Sequence, residues 1–163
     1  MNEKLSWKEK FSSVILLIIG ILLLLIQVQD LFNSKADRFS VAENKVSVNM
    51  TQFKADLKSY FVILLAIVGG WLLLKGKRIG WIIGLPVLVW YAILAIAGLY
   101  LSSVMQTFDA SFILLLVGFF LLLPAVFFLI TPSARIKYKV GKRVYLPTVV
   151  VLMAIFAMHF LLK

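Results

Sequence analysis

The side chains with the greatest potential for chemistry are few, and four of them are expected at the same end of the apolar helices. They are Gln27, Asp30, Asp109 and the single histidine, His159. A histidine beside a carboxylate could bind a metal, relay a proton or sense pH. A metal site needs three or four convergent ligands, so we predict neither a metal nor another cofactor. We favour an interfacial histidine hydrogen-bonded to a carbonyl.

Other catalytic patterns are missing from the sequence. The chain has no cysteine, which excludes thiolate chemistry, and no serine lies near His159 in sequence to act as an activated nucleophile. The segment Gly76-Lys77-Arg78 lacks the preceding glycine and the following Ser or Thr of a phosphate-binding loop. An enzyme acting alone is therefore disfavoured. A membrane enzyme that uses His159 with Asp30 and Asp109 stays as a third hypothesis.

Composition places the chain in a membrane. Of its 163 residues, 63% are apolar and 15% are charged, whereas soluble domains have about 45–50% and about 25%. A chain of this size could bury only about two-thirds of its surface in one core. We therefore predict an all-α integral membrane protein.

Five apolar runs approach the roughly 20 helical residues that cross a bilayer, and none of them contains Asp, Glu, Lys or Arg. We predict one domain over 1–163, a bundle of about five transmembrane helices, with an external loop over 30–59. The layout is one anchor helix followed by two hairpins. The spans are 11–28, 60–74, 79–101, 112–130 and 145–162.

The two predicted hairpins resemble each other, since Gly76-Lys77-Arg78-Ile79 recurs as Gly141-Lys142-Arg143-Val144. This similarity is either a parallel duplication, as found in some transporters, or the chance likeness of apolar sequences.

Basic residues indicate the orientation. The chain carries 17 Lys and Arg against 7 Asp and Glu, and eleven of the basic residues lie within 4–10, 75–78 and 135–143. Because basic loops stay on the cytoplasmic side, we place the amino terminus inside and the carboxyl terminus outside. No small-residue cleavage pattern follows the first span, which is typical of an uncleaved anchor. A bacterial cytoplasmic membrane suits this pattern.

The most basic loop mixes cationic and apolar residues, which suits contact with anionic lipid headgroups. Recognition of a specific acidic lipid or partner is the alternative, and nucleic acid is disfavoured because no binding motif accompanies the charge. The predicted headgroup contacts are Arg135, Lys137, Lys139, Lys142 and Arg143.

Helices in lipid pack through small residues that let their backbones approach. At 100° per residue, small and flat positions cluster on one face of the third span and recur in the fourth. The predicted helix-packing residues are Gly80, Gly84, Tyr91, Ala95, Gly98, Gly118 and Ala125. The bulky residues predicted to face lipid or a neighbouring subunit are Phe112, Phe119, Phe120, Phe127 and Phe128.

The external loop carries two local patterns. The residue types at 40–43 predict a helix capping box. Over 46–51, apolar residues alternate with polar ones, which predicts a strand or extended segment. Such a strand must pair with a partner protein or cap its own bundle. A helix capped by Thr51 is expected to enter the second span with Lys54, Asp56 and Lys58 facing water.

We therefore expect an accessory or scaffolding subunit of a larger membrane complex, which binds other subunits through helix packing and its external loop. A small oligomeric transporter or channel is the alternative. Expected partners are anionic lipids and other membrane subunits or further copies of the chain.

Overall fold

The computed structural model describes residues 6–33, 39–42, 45–48, 50–106 and 108–161. Within these residues the chain forms five long helices, one short helix and one β-hairpin. The elements are α1 (Trp7–Asn33), β1 (Phe39–Ala42), β2 (Lys45–Val48), α2 (Met50–Leu74), α3 (Arg78–Val104), α4 (Ala110–Ile130), α5 (Pro132–Lys137) and α6 (Lys142–Leu161).

All five long helices are long and apolar enough to cross a membrane. The shortest apolar stretch has 18 residues, close to the number that a bilayer core of about 30 Å requires. The five predicted spans are therefore confirmed as helices of spanning length. The fold is compatible with a helical membrane bundle.

The helices that flank the hairpin extend beyond the predicted spans. α1 continues to Asn33 and α2 begins at Met50. The connection between them therefore covers 34–49, not the predicted 30–59. Helical hydrogen bonding continues past each apolar run because adding a residue to an existing helix costs far less than starting a new one, so hydropathy alone underestimates the helix length.

The first turns of α2 face the opposite way from the prediction. Phe53 and Leu57 are exposed, whereas Lys54, Asp56 and Lys58 are half-buried. Outward apolar side chains cost little where a helix meets lipid, because lipid tails are as apolar as leucine. Polar groups therefore turn toward the other helices at this level.

Four long helices form a ring. α1 packs against α2 and α4, and α3 packs against the same two helices. α6 packs mainly along α3 and also contacts α2. The predicted first hairpin, α2 with α3, is a packed pair. The predicted second hairpin is not, because α4 and α6 each pack on α3 and share little contact with each other.

The contact between α2 and α3 depends on glycines. A Cβ atom on Gly80 would overlap the backbone nitrogen of Leu73 and would lie 2.5 Å from the carbonyl carbon of Leu72. Farther along, a Cβ atom on Gly69 would lie 3.2 Å from the Cα atom of Gly84. Backbone, which cannot move aside like a side chain, therefore fills the space next to these residues.

The contact between α1 and α2 is built the same way. A Cβ atom on Gly20 would lie 2.8 Å from Cγ1 of Ile67 and 3.2 Å from Cβ of Ala66. A Cβ atom on Gly70 would lie 3.1 Å from the carbonyl oxygen of Ser13. α2 is thus held between α1 and α3 by close backbone approach on both sides.

We expect Gly80→Ala to destabilise the fold by about 1–3 kcal/mol, because the added methyl group overpacks a contact with rigid backbone. Gly118→Ala is the matched control, since it also adds a methyl group within a helix but has no atom within 4 Å of its Cβ position. Thermal unfolding in mild detergent checks both variants. Equal melting temperatures for the two would contradict this account of the α2–α3 contact.

A β-hairpin connects α1 to α2. β1 and β2 pair antiparallel, with Phe39 opposite Val48 and Ala42 opposite Lys45. The extended segment predicted over 46–51 is thus confirmed over 46–48, and its pairing strand comes from the same chain. Met50 and Thr51 belong instead to α2. The capping box predicted at 40–43 is wrong, because residues 40–42 belong to β1; Glu43 lies outside the described residues. Residues 40–42 form a strand and not the start of a helix because they can make ladder hydrogen bonds to the second strand, 45–48.

The register of the hairpin pairs residues of like kind. Phe39 is opposite Val48 and Val41 is opposite Val46, whereas Ser40 is opposite Ser47. In an antiparallel ladder, residues directly opposite each other belong to the same side, and successive residues alternate between sides.

Candidate functional site

The connections gather at two ends of the bundle. We call the basic end the one that holds the start of α1, the turn 75–77 and the connection 131–141. We call the hairpin end the one that holds the end of α1, the β-hairpin and the end of α6. Side-chain hydrogen bonds tie the segments together at each end.

A buried ion pair organises the basic end. Glu9 is 3% exposed, and its Oε2 accepts hydrogen bonds from Lys137 Nζ at 2.6 Å and from the Ser6 backbone nitrogen at 2.9 Å. Ser6 and Glu9 have the spacing of a capping box, where the helix dipole also favours a carboxylate. The ion pair between Glu9 and Lys137 links the connection 131–141 to the start of α1.

Tyr138 adds a second link at this end. Its side chain is buried, and its hydroxyl donates to the carbonyl oxygen of Leu73 at 3.4 Å. Burial raises the pKa of Tyr138, and the nearby Glu9 carboxylate raises it further. The hydroxyl therefore stays protonated at neutral pH and remains a donor to the end of α2.

Side chains also satisfy the end of α4. The last carbonyls of a helix have no partner within it. Here Trp81 Nε1 donates to the carbonyl oxygen of Leu129 at 2.9 Å, and Arg135 Nε donates to that of Ile130 at 2.7 Å. The buried indole of α3 thereby fixes where α4 ends.

Some of the predicted headgroup residues bind other parts of the chain, and others are exposed. Lys137 pairs with the acid of α1, and Arg135 caps α4. Lys139 and Arg143 are exposed, and the side chain of Lys142 lies outside the description. At least two cations of this loop are therefore engaged within the fold.

We expect Lys137→Met to destabilise the protein by about 3–5 kcal/mol, since it leaves the Glu9 carboxylate buried and unpaired. The double variant Glu9→Gln with Lys137→Met is expected to recover much of the loss, because no buried charge remains. Lys139→Met is the matched control at an exposed lysine two residues away. Chemical unfolding in detergent measures all three. A loss as large in the control as in Lys137→Met would show that the ion pair contributes little.

At the hairpin end, a cavity of about 330 Å³ opens between α1, α2, α3 and α6. Its apolar wall consists of Leu23, Ile26, Val62, Ile63, Leu94, Ile155 and Met158. Its polar and aromatic groups are Gln27, Lys58, Ser59, Trp90, Tyr91 and His159. Size and lining both resemble those of small-molecule sites, which are mostly apolar with a few polar groups.

Two hydrogen-bond donors in this cavity can each bind a further acceptor. The Tyr91 hydroxyl is buried and has no hydrogen-bond partner within the described part of the chain. Leaving such a group unsatisfied costs about 1–3 kcal/mol. Lys58 Nζ has one long contact, 3.4 Å to the carbonyl oxygen of His159, and no ion pair with a described residue. Both groups can therefore donate to a bound acceptor.

The structure brings together two of the four residues of the predicted polar cluster. Gln27 and His159 line the same cavity. Asp30 is exposed on α1 outside the lining, and Asp109 instead accepts a hydrogen bond from the Phe112 nitrogen at 3.1 Å as the cap of α4. Among the described residues, no three His, Asp or Glu side chains could hold one metal ion.

The other predicted packing residues have varied surroundings. Tyr91 lines the cavity, and Gly98 faces a leucine side chain of α4, much as Gly84 faces leucine side chains of α1 and α2. Gly118 has open space next to its Cα atom. Ala95 and Ala125 are buried, and the Ala125 carbonyl accepts a hydrogen bond from α1 at 2.8 Å.

Sequence reasoning missed Glu9, Lys58 and Trp90 as parts of a site. The Ser6-to-Glu9 spacing of a capping box could have indicated Glu9. The helical position of Lys58 predicts a water-facing residue, and only the convergence of four helices brings it into the cavity. The Trp90 ring packs against that of His159, with 5.1 Å between centroids, which no local pattern shows.

Comparison of the chain with family models, curated proteins and solved structures finds no match. The function of the chain therefore has to follow from its own geometry.

Proposed function

We propose that this chain is an accessory subunit of a larger membrane complex, anchored by its helices and attached to a partner through the amphipathic β-hairpin. The observation that supports the proposal is the register of that hairpin, which pairs Phe39 with Val48 and Val41 with Val46. In an antiparallel pair this register is expected to collect the four apolar residues on one face.

A hairpin of this kind needs a further surface. An isolated pair of strands is marginally stable in water, and an additional strand or a packed surface is required for stability. An extra strand from a partner could add to either edge through main-chain hydrogen bonds. The apolar face would then pack against the same partner and exclude water. The competing interpretation is that the hairpin covers its own bundle.

The orientation indicates on which side the partner lies. The turn 75–77 and the connection 131–141 are rich in basic residues, and such segments stay in the cytoplasm. The hairpin end would then face outward, with the amino terminus inside. A bacterial cytoplasmic membrane fits this arrangement. The proposed partner is a membrane protein with an extended segment or sheet edge on the outer side.

The helices leave room for contacts with other subunits. Of the five phenylalanines predicted to face lipid or a neighbour, two on α4, Phe120 and Phe127, are about two-thirds exposed. The other three, Phe112, Phe119 and Phe128, are half-buried. By contrast, Gly84 contacts helices of its own chain, so leucine there is expected to disturb folding. The partner test therefore belongs on the hairpin.

We expect Val46→Asp to abolish stoichiometric copurification of the partner, because a carboxylate on the apolar face cannot be buried there without a large cost. Ser47→Asp is the matched control, with the same new charge on the other face of the same strand. Native mass measurement after extraction into lipid nanodiscs, with identification of copurifying proteins, distinguishes the two variants.

Copurification that survives both substitutions would contradict the hairpin as the contact. Recovery of the unaltered chain only as a homo-oligomer would instead favour the alternative, a small oligomeric transporter or channel.

A further inference from the structure

The cavity at the hairpin end combines a few polar groups with a largely apolar wall. Lys58 lies 17 residues before Lys75 on α2, and Tyr91 lies 14 residues after Lys77 on α3. At 1.5 Å per residue, Tyr91 is roughly 5 Å farther from the hairpin end than Lys58. The backbone positions of Lys58 and Tyr91 therefore belong to adjacent levels of one opening.

The charge of this opening is positive. Lys58 has no ion pair with a described residue, and its one described hydrogen bond goes to a carbonyl at 3.4 Å. Asp56, two residues earlier on α2, already accepts a hydrogen bond from Gln27 Nε2 at 3.0 Å. An anion at Lys58 would find an ammonium group, and the Tyr91 hydroxyl would provide a second donor.

The wall of the cavity suits a hydrocarbon chain. Apolar side chains from all four helices line it, among them Leu23, Val62, Leu94 and Ile155. Its volume of about 330 Å³ lies at the low end of the range of about 300–1,000 Å³ for small-molecule sites. One acyl chain fits this space better than the two chains of a phospholipid, and a small hydrophilic anion would leave the apolar wall unused.

We propose that this cavity binds a single-chain anionic amphiphile of the fatty-acid class. The carboxylate accepts hydrogen bonds from Lys58 Nζ and the Tyr91 hydroxyl, and the hydrocarbon chain lies along the apolar wall. Charge-assisted hydrogen bonds of this kind are the strong ones in a site of low polarity. This proposal uses other residues than the hairpin and does not depend on the accessory role.

Trp90 in the wall offers a direct readout. The probe is stearic acid brominated on its chain, which quenches indole fluorescence at short range. The protein is reconstituted in phosphatidylcholine nanodiscs in a Trp7→Phe, Trp71→Phe background, in which Trp81 at the basic end and Trp90 remain. Trp90→Phe in the same background measures quenching that does not come from the cavity.

We expect saturable quenching of Trp90 by the brominated acid. The brominated methyl ester and brominated phosphatidylglycerol are expected to bind at least tenfold more weakly. Lys58→Gln is expected to lower the affinity for the brominated acid at least tenfold, which corresponds to the loss of about one charge-assisted hydrogen bond. Tyr91→Phe is expected to lower this affinity about fivefold. Lys54→Gln removes the same charge one turn away on α2, and its affinity should stay within twofold of the unaltered chain.

Four outcomes would overturn the proposal. Absence of saturable quenching would exclude a site for this probe, and equal quenching by the ester would exclude recognition of the carboxylate. Equal quenching by phosphatidylglycerol would assign the cavity to a two-chain lipid. Equal affinity in Lys58→Gln and Lys54→Gln would exclude Lys58 as the anion contact. Unchanged melting temperatures of the variants ensure that each difference reports binding.

Discussion

Helices surrounded by lipid gain little from the exclusion of water, so their contact must come from close van der Waals approach. In this chain the approach occurs where α2 meets both of its neighbours. Gly20 and Gly70 bring α1 to α2, and Gly80 brings α3 to the backbone at Leu72 and Leu73. Because α2 is held on both sides, the positions of α1 and α3 are set relative to each other. α4 then closes the ring, and α6 packs on α3.

Polar side chains add further contacts between the helices that the glycines bring together. Charged residues lie outside the apolar runs, and at both ends they join segments that are distant in sequence. Glu9 and Lys137 join the first helix to the last connection, while Gln27 and Asp56 join the two helices that flank the hairpin. Each of these bonds sits where burial weakens competition from water, so each one contributes to register as well as to stability.

The two proposed activities share one end of the molecule but use different parts of it. The hairpin follows α1 and precedes α2, so its position depends on the packing of those two helices. The cavity lies between the same helices, with α3 and α6 supplying Tyr91 and His159. A partner on the hairpin would therefore sit close to a bound amphiphile. The same helix packing would thus position both of the proposed contacts.

Composition and apolar run length alone determined the five spans, because the bilayer imposes a fixed length and apolar character on any helix that crosses it. The alternation around Val46 likewise determined a strand, and the glycine pattern indicated Gly80 and Gly84 as packing positions. Only the tertiary structure decided the partner of each helix and the role of single polar residues. Contacts such as Lys58 with His159 join residues about a hundred positions apart, and no local period encodes a distance of that kind.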